Sequence, residues 1–97
     1  MSGRKYQRWP CDHYCKINFS HGSLSANISN VSQGGFLGNA ISPTAVTVGS
    51  TGVVQVDRIG SFSIVIRWVG MNEFGAEFED PISEAELAQF VPKLVKA

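Results

Sequence analysis

A chain of 97 residues sets the expectation of one domain with a single core of modest stability. Hydrophobic residues at 43% and charged residues at 16% exclude a disordered composition. No apolar run approaches the ~20 residues of a membrane span, and a net charge of zero weighs against broad DNA or RNA binding.

Residues 1–10 read as a flexible N-terminal segment ending at Pro10, ahead of a folded unit over 11–97. From Cys15 to Phe19 apolar and polar residues alternate, which predicts a strand. His21-Gly22 makes a turn. Leu24, Ala26 and Ile28 then alternate with Ser25, Asn27 and Ser29 as a second strand. Asn30-Val31-Ser32-Gln33-Gly34-Gly35 ends it, because Asn, Ser and Gly favour turns. Phe36-Leu37 opens a short third strand, and residues 38–52 read mostly as loop, with Ala45–Val48 as a short extended piece.

Val53–Arg58 and Phe62–Val69 read as a hairpin around Ile59-Gly60-Ser61, with Phe62, Ile64, Ile66 and Trp68 sharing one face. Phe74, Ala76 and Phe78 alternate in a last strand. Ser83-x-x-Glu86 is a capping box, and Leu87, Phe90, Val91, Leu94 and Val95 follow at helical spacing. Pro92 stops or kinks that helix near Val91, since it lacks an N–H. The expected class is therefore mainly all-β: a six-stranded antiparallel β-barrel with a C-terminal α-helix.

The charge is unevenly placed. Residues 1–22 hold Arg4, Lys5, Arg8 and Lys16 against Asp12 alone, leaving room for one small anion. Glu73, Glu77, Glu79, Asp80, Glu84 and Glu86 read as a solvated strand face and then a helix N-terminus, where acids suit the dipole. The polar, basic N-terminus has no apolar signal region, so a cytoplasmic location is expected. Cys11 and Cys15, even with His13 and His21 nearby, lack the second ligand pair of a structural zinc site, so no metal is expected. Cys15 is in phase with Ile17 and Phe19 and reads as a small apolar strand residue. His13 and His21 read as surface residues, Trp68 and Phe78 as core. No nucleophile-elbow motif or other catalytic constellation is found, so an enzyme is not expected.

Two motifs carry the function. Arg4-Lys5-Tyr6-Gln7-Arg8 is an R-x-x-x-R pair, and Asn30 to Gly35 is an N-x-S-x-x-G run. Arginine forks match phosphate oxygens, fork onto guanine O6 and N7, or stack on a purine. Asn addresses a base edge, Ser adds a short donor-acceptor, and Gly permits close backbone approach.

Over roughly residues 4–80 the chain resembles a PilZ domain. R-x-x-x-R stands ahead of the first strand and N-x-S-x-x-G follows the second. Ile66-Arg67-Trp68 resembles the family's V-x-W element, and Gly75-Ala76-Glu77-Phe78 its G-x-x-F element. The resemblance implies a six-stranded barrel that binds the bacterial second messenger cyclic di-GMP, with no other cofactor. It assigns the ligand to Arg4, Arg8, Asn30, Ser32 and Gly35, where Asn30 supplies an amide in place of a carboxylate. Lys5, Gly34 and Trp9 are additional candidates. Lys5 reads first as a solvated lysine, and Trp9 equally as a stacking platform or a partly exposed aromatic beside Pro10.

Magnitudes tie the two motifs together. Ordering Arg4 to Arg8 costs roughly 1–2 kcal/mol per residue. Each charge-assisted hydrogen bond returns about 1.5–3 kcal/mol. Micromolar binding requires about −8 kcal/mol, so Asn30 and Ser32 must add guanine contacts. The expected function is a stand-alone cyclic di-GMP receptor whose N-terminal segment changes order on binding and signals in trans to a downstream protein partner. The alternative is a PilZ-like protein-interaction adaptor that binds no nucleotide. DNA or RNA binding and membrane insertion are not expected.

Overall fold

The computed structural model describes residues 6–41 and 46–94. Six strands, β1 (Trp9–Phe19), β2 (Gly22–Val31), β3 (Gly35–Ala40), β4 (Thr51–Val56), β5 (Gly60–Val69) and β6 (Glu73–Phe78), close into an antiparallel barrel. Their order around it is β1-β2-β3-β6-β5-β4. A short helix α1 (Glu84–Phe90) and a 3₁₀ turn (Pro92–Leu94) follow. The barrel expected from the alternation is the barrel observed. Arg4, Lys5, Ala45 and Val95 lie outside the described residues.

The alternating sets expected for β1, β2 and β6 point inward, as do Ile64 and Ile66 of β5; Val31, Val54 and Val56 join them. Cys15, Ile17 and Phe19 from β1 meet Leu24, Ala26, Ile28 and Val31 from β2. Val54, Val56, Ile64 and Ile66 face them from the β4–β5 hairpin, and Phe36, Phe74, Ala76 and Phe78 complete the core. Burial pushes the Cys15 thiol up to about 12. The Cys11 thiol rises to about 11, through burial first and the adjacent Asp12 charge second.

The C-terminus behaves as its local code dictates. Ser83 accepts from the Glu86 N–H (3.0 Å) while its own N–H donates to the Glu86 carboxylate (2.8 Å). The helix ends at Phe90, with Val91 as its cap and Pro92 opening the 3₁₀ turn. Leu87, Phe90 and Val91 are buried, and the Phe90 ring packs against Phe62 and edge-on against His13.

Four expectations are corrected. β1 begins at Trp9 rather than Cys15, so Trp9 and Pro10 belong to the barrel. A bulge between Pro10 and His13 breaks the alternation there and hides the strand from a period-2 reading. The β4–β5 turn falls at Asp57–Ile59, where Arg58 adopts a left-handed φ of 68°, and not at Ile59–Ser61. His13 is half-buried rather than superficial, because its Nε2 lies 2.7 Å from the Phe90 carbonyl oxygen.

The fourth concerns Trp68. Ile64 and Ile66 point inward as predicted, but a bulge between Ile66 and Trp68 adds one residue to β5. Because side chains alternate with period two, the extra residue moves Trp68 to the outside. It is 41% exposed and is not core. Phe78, the other aromatic assigned to the core, is buried there.

Candidate functional site

The Asn30–Gly35 run forms the joint between β2 and β3. A bulge between Ile28 and Asn30 lets Ile28 and Val31 both point inward and leaves Asn30 half-buried at the rim. Ser32 is 8% exposed, and its hydroxyl is spent on the turn itself. It accepts from the N–H groups of Gly34 (3.1 Å) and Gly35 (3.2 Å), and it lies 3.4 Å from the Gly35 carbonyl oxygen. The Ser32 N–H donates to that same carbonyl (2.8 Å). Ser32 thus sets the shape of the loop, as Ser side chains do in turns.

Gly35 is demanded by the barrel. A Cβ at Gly35 would collide with the backbone carbonyl oxygen of Ala76 on β6, a neighbour that cannot rotate away. Beside it, the Tyr6 ring covers Gly34.

From the segment ahead of β1, Arg8 reaches across and its Nη1 donates to Asn30 Oδ1 at 3.4 Å. The two motifs, 22 residues apart, therefore meet. Next to them opens a groove of about 290 Å³. It is lined by Tyr6, Arg8, Ser32, Gly34, Gly35 and Phe36 and, from β5 and β6, by Arg67, Trp68, Gly75, Ala76 and Glu77. The Arg67 guanidinium contacts Glu77 Oε1 through Nη2 (2.5 Å) and Nε (2.6 Å).

The sequence-expected residues divide as follows. Arg8, Ser32, Gly34 and Gly35 line the groove, and Asn30 is joined to it through Arg8. Trp9 is not there: it turns into a separate cavity with Gln7, Gln33, Glu84, Leu87, Ala88 and Leu94, against the helix side of the barrel. Arg4 and Lys5 lie outside the described residues. Sequence reading missed Tyr6, Arg67, Trp68 and Glu77. The signal for Trp68 was Gly75, since a glycine inside a strand marks a bulge or a close approach. The indole occupies the space a side chain at Gly75 would take.

Chemically, the groove offers two guanidinium groups, an exposed indole, a phenol and one carboxylate beside Gly34 and Gly35. Such a set suits an anion with flat, edge-bearing rings. The model of the PilZ domain family matches residues 2–93. The chain belongs to the PilZ domain family.

Two solved structures share the fold. The Bacillus subtilis inhibitor of motility MotI/DgrA superposes with a TM-score of 0.72 at 12% identity, over 97% of this chain and 52% of its own. Escherichia coli YcgR, solved in complex with c-di-GMP, gives 0.62 at 14% identity, over 97% and 45%. At such identities the likeness is one of fold, and this PilZ domain spans about half the length of either neighbour. No curated protein sequence matches the chain. Among the described residues no helix is long and apolar enough to cross a membrane.

Proposed function

We propose that this PilZ domain is a cyclic di-GMP receptor that works by binding, not catalysis, in the bacterial cytoplasm. The observation that carries the reading is the meeting of Arg8 with Asn30 beside the groove that contains Trp68. Arg8 and Arg4 hold phosphate or a guanine Hoogsteen edge, and Trp68 stacks a base. Ser32 and Gly35 contribute the shape of the turn that lines the groove. The segment carrying Arg4 and Arg8 closes over the nucleotide, and its change in order alters the surface offered in trans to a protein partner. The cyclic di-GMP complex of YcgR supports the choice of ligand on a shared fold.

Titration calorimetry tests it. Saturable binding of cyclic di-GMP is expected, weakened at least about tenfold by Arg8→Ala, given roughly 1.5–3 kcal/mol per charge-assisted bond. Lys16→Ala, on the outer face of β1, leaves it unchanged. Absence of saturable heat at ~100 µM, well above a micromolar scale, rules the receptor out. A nucleotide-independent adaptor is the second reading, favoured by exposed Val69 (42%) and Met71 (96%) just beyond Trp68. It requires that one partner be recovered equally with and without nucleotide, and equally by Arg8→Ala.

A further inference from the structure

An anion-binding groove that carries its own carboxylate needs a reason for it. Glu77 lines the groove beside Arg8 and Arg67, where a negative charge works against a phosphodiester ligand. The residues expected to choose the base are poorly suited to the task. The Ser32 hydroxyl is committed to the Gly34 and Gly35 amides. Asn30 carries an amide, which presents donors or an acceptor according to which way it is turned. A carboxylate is acceptor-only, so it tests a partner for donors.

Guanine carries two adjacent donors, N1–H and the 2-amino group, on its Watson–Crick edge. Adenine has an acceptor at N1. A carboxylate therefore pairs with the first through two charge-assisted bonds and repels the lone pair of the second. The placement of Glu77 suits this reading. Gly75 and Glu77 alternate onto the same outer face of β6, roughly 7 Å apart along the strand, and the Trp68 indole lies over Gly75. A base stacked at that indole would share the groove with the Glu77 carboxylate. Both Arg67 donors meet one carboxylate oxygen, Oε1, so the base edge would be read through the other, Oε2. On the premise of the receptor reading above, we propose that Glu77, positioned by Arg67, reads the Watson–Crick edge of a guanine and makes the site select guanine over adenine.

The test is calorimetric titration of the wild-type chain and Glu77→Gln with cyclic di-GMP, cyclic di-AMP and cyclic di-IMP, whose hypoxanthine bases keep N1–H but lack the 2-amino group. Expected for wild type is the order guanine, hypoxanthine, adenine. Expected for Glu77→Gln is a loss of about tenfold or more for cyclic di-GMP, with the guanine-to-adenine ratio falling to within a few fold. The ion pair is half-exposed, so the variant keeps the wild-type melting temperature to within a few degrees. Unchanged or tighter cyclic di-GMP binding by Glu77→Gln at unchanged selectivity overturns the assignment while leaving the receptor reading intact. Failure of the wild type to bind any of the three overturns both.

Discussion

The indole of Trp68 lies where the side chain of residue 75 would be: a Cβ on Gly75 would come within 2.6 Å of Trp68 Cδ1 and 2.7 Å of Cε2. Position 75 is therefore a seat for the ring, and the bulge at Arg67 brings the ring out to it. Gly75→Ala must displace an exposed, rotatable side chain rather than backbone. A modest stability loss of about 1 kcal/mol is expected, together with a shift in tryptophan emission and weaker cyclic di-GMP binding. Urea denaturation alongside calorimetry checks it; full retention of affinity would remove Trp68 from the binding surface.

Gly35 presents the opposite case. The atom in the way of a Cβ is the Ala76 carbonyl oxygen, which belongs to the β3–β6 ladder. Gly35→Ala is expected to cost about 2–3 kcal/mol, the upper range for overpacking. Gly34→Ala crowds the Tyr6 ring, at 2.9 Å from its Cδ2, and meets Ser32 Oγ at an ordinary 3.8 Å, so it is expected to cost less than about 1 kcal/mol. Chemical denaturation of both variants is the comparison, and equal losses would contradict this assignment of roles.

These glycines show where the sequence was legible. Cys15 could be placed in the core because its neighbours Ile17 and Phe19 alternate without interruption. The capping box at Ser83 could be placed because its partners are three residues apart. Trp68 could not, since a bulge is decided by what the facing strand presents, here Gly75. His13 could not either, because its partner Phe90 lies 77 residues away. In the site, Arg8 and the Asn30–Gly35 turn were visible as motifs. Arg67 and Glu77 were invisible as a pair, because only the β5–β6 ladder brings them together.

The two thiols make stability pH-dependent at the alkaline end. Cys11 and Cys15 rise in the folded chain to about 11 and about 12 from an ordinary 9.0. Unfolding above pH 9 therefore releases protons that the native state retains, so stability is complete below pH 9 and declines as pH climbs towards the folded values. Melting temperature should fall more steeply between pH 9 and 11 in the wild type than in Cys11→Ala/Cys15→Ala. Native thiols should also resist a thiol-specific reagent at pH 8 until denaturant is added. Parallel melting curves for the two proteins would show that the thiols do not titrate differentially.

Gln33 links the candidate site to the helix. Its side-chain Nε2 donates to the Ile82 carbonyl (2.9 Å), and the Ile82 N–H donates back to the Gln33 carbonyl (2.9 Å). Ile82 immediately precedes the Ser83 cap, so the turn beside the groove is hydrogen-bonded directly to the start of α1. Nucleotide binding should therefore shift the amide resonances of residues 82–86 as well as those of 30–36. Gln33→Ala removes one of the two bonds and leaves the Ile82 carbonyl short of a partner, a loss of about 1 kcal/mol. The groove keeps its lining, so affinity should stay within a few fold while the shifts at 82–86 shrink. Undiminished helix shifts in Gln33→Ala would route the coupling through the β3–β6 ladder instead, where Phe78 N–H donates to the Gly34 carbonyl at 2.9 Å.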